Sequence, residues 1–179
     1  MEPILQAQFN QFKKSYAIDN VVSDLNDNIK ESKSFEYFIN HTLLSADYPD
    51  IFIGNFDLLD CIFDGCDLSN KVFDDKLISR VIFKNCKMIG TTFINSSLKD
   101  VMFEGCTTRY LNFSNAKINN VLYKDSDLKE ASFIDNNIKN IEFDNVILKE
   151  VEFLNISLKD VDFSNSNIEG TIFDMFSIK

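Results

Sequence analysis

From Ile51 onward the chain divides into consecutive blocks of five residues whose register never slips, beginning IFIGN FDLLD CIFDG CDLSN KVFDD. The third residue of the block is apolar in 25 of 26 blocks, with Thr108 the exception. A helix wants an apolar period of 3.6 and a simple strand a period of 2. A period of five fits neither, and it fits a short strand followed by a corner. Positions one and three then point inward, and positions two and four point outward. First positions are usually small or β-branched, as in Cys66, Val81, Cys86, Thr91, Val101, Ala116, Val121, Ala131 and Val151.

The fifth position has to turn the chain. Of 25 complete blocks, 20 end in Asn, Asp or Gly. These residues tolerate left-handed backbone and bond locally to the main chain. Third positions alternate between aromatic centres (Phe63, Phe73, Phe83, Phe93, Phe103 and onward to Phe173, with Tyr123 among them) and aliphatic ones such as Leu58, Leu68, Ile78 and Met88. Like stacks on like only if the coil has an even number of sides. Cys66, Cys86 and Cys106 recur every 20 residues, which selects four. Two opposite walls then carry Phe and the other two Leu or Ile, filling a narrow square interior at protein density. The 129 repeat residues make about 6.5 coils and a rod roughly 31 Å long.

The chain resembles the pentapeptide-repeat family, whose consensus is Ala, then Asp or Asn, then Leu or Phe, then two variable residues. SDLKE, CDLSN, NNIKN and LNFSN match it best. The resemblance implies an all-β solenoid, a right-handed quadrilateral parallel β-helix, over residues 48–179. It also implies kinship with gyrase-binding members that mimic DNA. Some gyrase-protecting members carry loops that interrupt the coils, and this register has none.

Residues 1–47 are expected to form an N-terminal α-helical cap. Pro3 at a first helical turn, followed by Ile4, Leu5, Phe9, Phe12 and Tyr16, reads as an amphipathic helix. Val21, Val22, Leu25 and Ile29 suggest a second helix. Phe35, Phe38 and Ile39 suit a third helix or an irregular first coil, with helix favoured to about Asn40 and coil from about Tyr48. A solenoid exposes apolar residues and unpaired backbone at its ends, so a cap there aids solubility.

At the other end, Phe173, Met175, Phe176 and Ile178 concentrate apolar surface. They are expected to form a two-fold dimer interface, as the C-terminal ends of gyrase-interacting relatives do.

The net charge of −10 disfavours direct nucleic-acid binding and favours a basic partner. Sorted by wall, the charges are uneven. The Phe63 wall carries Asp64, Glu104, Asp125, Glu142, Asp144 and Asp162 against Lys84 and Lys124. The opposite Phe73 wall carries Asp74, Asp75, Asp135, Glu152 and Asp174 against Lys71. The Leu58 wall is net basic through Lys99, Lys139, Lys159, Lys179, Arg80, Lys76 and Lys117, and the Leu68 wall is nearly balanced. The two acidic walls are the candidate partner-binding surfaces, with DNA gyrase or another type II topoisomerase as the partner the resemblance implies. Mimicry of DNA is at most partial. Duplex DNA of that length carries about 18 charges at one per ~1.7 Å, against the 10 of this chain. The competing reading is a general protein-interaction scaffold or effector module that uses a wall or the N-terminal helices.

Catalytic chemistry finds little support. His41 is the only histidine and lies apart from any partner, so histidine-based triads are excluded. Cys61, Cys66, Cys86 and Cys106 show no CxxC spacing, so packing rather than zinc binding explains them. Stacked at about 4.8 Å, they lie within disulfide range. No phosphate loop or nucleophile elbow occurs, and a filled rod leaves no interior room for a substrate. No catalytic residue, metal or cofactor is expected. CTTRY is the one damaged block, open to a local bulge or a recognition spot. Residues 1–10 lack a basic start and a long apolar run, no stretch of 18 apolar residues occurs, and four cysteines lack a disulfide framework. A cytoplasmic protein is expected.

Overall fold

The computed structural model describes the backbone of residues 37–39 and 42–44, and the chain over residues 57–158 and 161–174. Ten strands follow in order: β1 (Tyr37–Ile39), β2 (Thr42–Leu44), β3 (Asp57–Asp64), β4 (Leu77–Lys84), β5 (Ser97–Glu104), β6 (Lys117–Lys124), β7 (Ser132–Ile134), β8 (Asn137–Asp144), β9 (Glu152–Leu154) and β10 (Ile172–Phe173). The described pairings are all parallel. Leu58 lies beside Ile78 and Leu98, and Phe63 beside Phe83 and Phe103, so twenty residues make one coil. The fold is a right-handed quadrilateral β-helix of about 6 turns.

The eight-residue strands β3 to β6 each wrap two walls and bend at the fourth residue. Asp60, Arg80, Asp100 and Asn120 sit there with φ between 54° and 57°. The other two walls are held by isolated bridges, such as Asp67 to Lys87 to Thr107 to Asp127, and by the β7–β9–β10 sheet.

Fifth positions supply the corners as expected. Non-glycine residues from Asp60 to Asn155 adopt positive φ there, Glu130, Glu150 and Tyr110 included, with Asn140 the exception. Glycine is required where stacked corners crowd one another. A Cβ on Gly90 would stand 2.7 Å from Asn70 Oδ1, and one on Gly105 2.8 Å from Asn85 Oδ1.

Inside, two ring columns run the length of the rod. Phe63, Phe83, Phe103, Tyr123, Phe143 and Phe163 form one, with successive centroids 4.6–5.6 Å apart. Phe73, Phe93, Phe113, Phe133, Phe153 and Phe173 form the other. The columns face each other across the axis and meet edge to face, as between Phe93 and Phe103 at 6.3 Å. Offset stacking and T-shaped contact are the two favourable ring geometries, and the square section uses both.

First positions do more than fill space. Thr91 donates to Leu68 O (2.7 Å), Ser96 to Phe73 O (2.5 Å), Ser126 to Phe103 O (3.3 Å) and Thr171 to Leu148 O (2.7 Å). The Cys86 and Cys106 thiols donate to Phe63 O and Phe83 O, and the Asn136 amide to Phe113 O. Every acceptor lies 23 residues back, at a corner carbonyl of the coil below. The inter-coil ladder passes over these third-position carbonyls, so side chains pair them, joined at Leu68, Phe113 and Leu148 by the amide three residues on.

The helix expected as far as about Asn40 gives way to strand where the backbone is described. Tyr37–Ile39 pairs with Asp57–Leu59, and Thr42–Leu44 with Ile62–Asp64. The twenty-residue offset to β3 selects extended backbone here over local helical preference. The rest of the helical segment lies outside the described residues, as do His41 and Tyr48.

Candidate partner-binding faces

Each wall presents two outward columns, from positions two and four. Their local order comes from the consensus Asp or Asn at position two. Asp67 accepts from Ser69 N (3.0 Å), Asn112 from Ser114 N (2.9 Å), Asp127 from Lys129 N (3.0 Å) and Asp162 from Ser164 N (2.8 Å). These bonds close the turn and stabilise the carboxylate. Asp67 is held below the usual carboxylate pKa chiefly by the Ser69 hydroxyl, and Asp162 by the Ser164 amide and then its hydroxyl.

The two acid-rich walls prove unlike. On the Phe63 wall, the position-four column runs Asp64, Lys84, Glu104, Lys124, Asp144 in direct parallel register. Acid alternates with base, so the field of this column cancels beyond a few ångströms. Asp64 and Asp125 also accept side-chain bonds from Asn85 (3.1 Å) and Asn145 (2.6 Å). Glu142 and the exposed Asp162 end the position-two column.

That position-two column is the larger departure from expectation. It runs Ile62, Ile82, Met102, Leu122, and the last three are buried at 1%, 0% and 0% exposure although strand alternation points them outward. They form an apolar cluster separate from the core.

On the Phe73 wall the acids have no alternating partners. Asp74 accepts from Ile94 N (2.8 Å), Asp135 from the Asn155 amide, and Asp174 from Asn155 N. Asp75 and Asp135 occupy exposed corners and Glu152 is half-buried in the position-two column. Lys71 is this wall's one base among the described residues. The position-four column runs Asp74, Ile94, Ser114, Ile134, Leu154 and Asp174, all half-buried, with Val72 and Ile172 exposed at 53% and 49%.

The Leu58 wall keeps Lys99, Lys117 and Lys139 exposed. At its edge Arg80 grips Asp60 through two nitrogens at 2.5 and 2.7 Å. Lys159 and Lys179 lie outside the described residues. On the Leu68 wall cross-coil ion pairs join Lys87 to Asp67 (3.2 Å) and Arg109 to Asp127 (2.6 Å). The CTTRY block carries no bulge. Thr107 bridges Lys87 and Asp127 in register, buried Thr108 bonds Asp127 O (2.9 Å), and exposed Tyr110 takes the corner with φ 60°. The register shift falls instead between β6 and β8, where Asn119 pairs with Asn140.

The four cysteines are buried and none is in a disulfide. Cys86 is pushed up to about 12, first by the adjoining Cys106 thiol and also by burial. Its thiolate, the form that binds metal or attacks disulfides, is thereby suppressed. Among the described residues, no group of three or more His, Cys, Asp or Glu is placed to hold a metal. No helix among them is long and apolar enough to cross a membrane. Of the expected dimer residues, Phe173 stacks on Phe153 at 5.3 Å. Met175, Phe176 and Ile178 lie outside the described residues.

Residues 56–133 match the family model for a pentapeptide repeat region. No curated protein matches the chain. Among solved structures, a trypsin-treated variant of QnrB1, a plasmid-mediated fluoroquinolone resistance protein, is 19% identical, with 77% of this chain and 82% of that chain covered and a TM-score of 0.30. The pentapeptide repeat protein Rfr23 from the cyanobacterium Cyanothece is 13% identical over 66% of this chain and 89% of its own, with a TM-score of 0.31. HetL, involved in heterocyst differentiation regulation in the cyanobacterium Nostoc, is 11% identical over 86% and 92%, with a TM-score of 0.27. The unbroken five-residue period, the four-walled coil it builds and the family model agree that residues 56–133 of this chain are a pentapeptide repeat region.

Proposed function

We propose that the chain is a non-catalytic binding rod that engages a basic protein surface through its Phe73 wall. One observation carries this reading. Asp74, Asp75, Asp135, Glu152 and Asp174 flank Ile94, Ile134 and Leu154 of a column that only Ser114 interrupts, with Lys71 the one base of the wall among the described residues. A flat apolar strip supplies contact area, and a rim of one charge sign steers and orients the partner. The Phe63 wall lacks this character, because its acids alternate with lysines.

The DNA saddle of a type II topoisomerase is the specific basic partner that the family resemblance implies. The test is a supercoiling reaction with purified DNA gyrase and increasing amounts of the chain. An effect that Asp135→Lys with Glu152→Lys abolishes, and that Glu104→Lys leaves intact, supports the topoisomerase reading. No effect at many-fold excess removes it. The general scaffold reading is then tested by pull-down from the native host, with the same two variants as controls.

Apolar exposure also gathers in the last described coil, where Ile168 and Ile172 are 45% and 49% exposed. We propose that two copies pair through this end and double the length of the binding wall.

A further inference from the structure

The Leu58 wall lies between the two acid-rich walls. Yet neither of its outward columns holds an acid among the described residues from Ser97 to Ser157. Lys99, Lys117 and Lys139 stand exposed there on three successive coils. Coils about 4.8 Å apart place their Cα atoms within roughly 10 Å of one another. Among the described residues no acid forms an ion pair with any of the three. The edge acids nearest them are engaged elsewhere, Asp100 by the Asn120 amide (2.9 Å) and Asp135 by the Asn155 amide. The repeat also breaks at this place. The β6–β8 register pairs Asn119 with Asn140, which leaves Lys139 as the extra residue of a bulge. Bulges re-aim side chains and disturb the ladder locally. In the middle of the lysines, Asn119 keeps its Oδ1 buried without a hydrogen-bond partner.

We propose that this patch docks a short acidic peptide segment in extended form. The rod is then a two-faced adapter, with the Leu58 wall for an acidic segment and the Phe73 wall for a basic surface. The two faces are separate, so either can fail without the other. Carboxylates on alternate residues of an extended strand lie about 7 Å apart, a spacing that the staggered lysines can meet. The charges around the patch fix the occupant's size. At physiological salt a charge is felt over about 8 Å, so a short segment lying along this wall meets chiefly its lysines. A bulky polyanion such as duplex nucleic acid overhangs onto the acids of both flanking walls and is repelled. The outward residues from Ser97 to Ser157 include no aromatic side chain on which a base stacks. Arg80, whose fork suits phosphate, is committed to Asp60. An unsatisfied buried amide is costly. Turned outward, Asn119 accepts a backbone N–H, which a peptide offers and a phosphodiester chain lacks.

Fluorescence anisotropy on the full chain tests this, with a labelled peptide of about ten residues that alternates Glu and Ser as the probe. Saturable binding that weakens with added salt is expected. Lys99→Gln with Lys139→Gln is expected to weaken it at least about tenfold. Lys84→Gln with Lys124→Gln removes the same charge from the Phe63 wall and is expected to change it less than about twofold. Circular dichroism checks that both variants keep the fold. A single-stranded oligothymidylate of the same charge is expected to bind more weakly than the peptide. Absence of saturable peptide binding at low salt overturns the proposal. So does an equal loss in the two variants, which would mean that net charge alone is read. An oligothymidylate that binds as tightly as the peptide also overturns it and points to nucleic acid instead.

Discussion

Phe103 and Tyr123 stack with centroids 4.6 Å apart and planes 4° from parallel, the tightest ring pair among the described residues. The phenol stands where every neighbouring coil has a phenyl ring, and its hydroxyl is buried without a hydrogen-bond partner. Burial pushes the Tyr123 pKa well above its usual 10. The folded chain therefore holds a proton that the unfolded chain releases. Stability is fully present below pH ~10 and falls as pH rises beyond it. Tyr123→Phe is expected to raise stability by about 1 kcal/mol at neutral pH and to flatten the alkaline loss. Urea melts at pH 7 and pH 11 check both.

Phe103 touches rings in both columns: Phe83 and Tyr123 by stacking, Phe93 and Phe113 by their edges. Phe103→Ala is expected to cost about 3–5 kcal/mol, the range for a buried ring replaced by a cavity. Equilibrium denaturation measures it. A loss below 1 kcal/mol would mean the interior collapses around the gap.

At the stacked corner of Asn85 and Gly105, Gly105→Ala is expected to destabilise by about 1–2 kcal/mol. Left-handed strain contributes part of this, and the clash with Asn85 Oδ1 contributes the rest. Asn85→Gly should relieve the clash alone, so a double-mutant cycle is expected to show favourable coupling between the two changes.

The cysteines should resist thiol reagents while folded. Cys86, pushed up to about 12 and buried, has almost no thiolate at neutral pH. A chromogenic disulfide is expected to titrate none of the four in native buffer and all four in guanidinium. Reaction under native conditions would show that the coils open locally.

Light scattering at micromolar concentration is expected to report a dimer, and Ile172→Asp a monomer of unchanged circular dichroism. A monomeric wild type would remove the end-to-end pairing.

Much of this architecture was legible because one constraint repeats. Asn, Asp and Gly at every fifth position announce corners, and Phe63 with Phe83 announces a twenty-residue coil. The first-position bonds were less legible. Small size alone explains Cys106 or Ser126 in a tight corner, and only the stacked coil reveals the carbonyl 23 residues earlier that each must satisfy. Wall charges summed from sequence made the Phe63 and Phe73 walls look alike. Register separates them, because it sets Lys84 beside Asp64 and Glu104. The signal for the buried column was present in Ile62, Ile82, Met102 and Leu122, four apolar residues at positions assigned to water.

Since a residue's wall follows from its number counted in twenties, length in this molecule is quantised. Losing one block would turn everything downstream by a quarter revolution, setting aromatic centres over aliphatic ones and corner donors under the wrong carbonyls. Losing four blocks would shorten the rod by one complete step and leave every surface pointing as before. Such a scaffold can be extended or trimmed like a ruler, by whole graduations only, to match the span of whatever it holds.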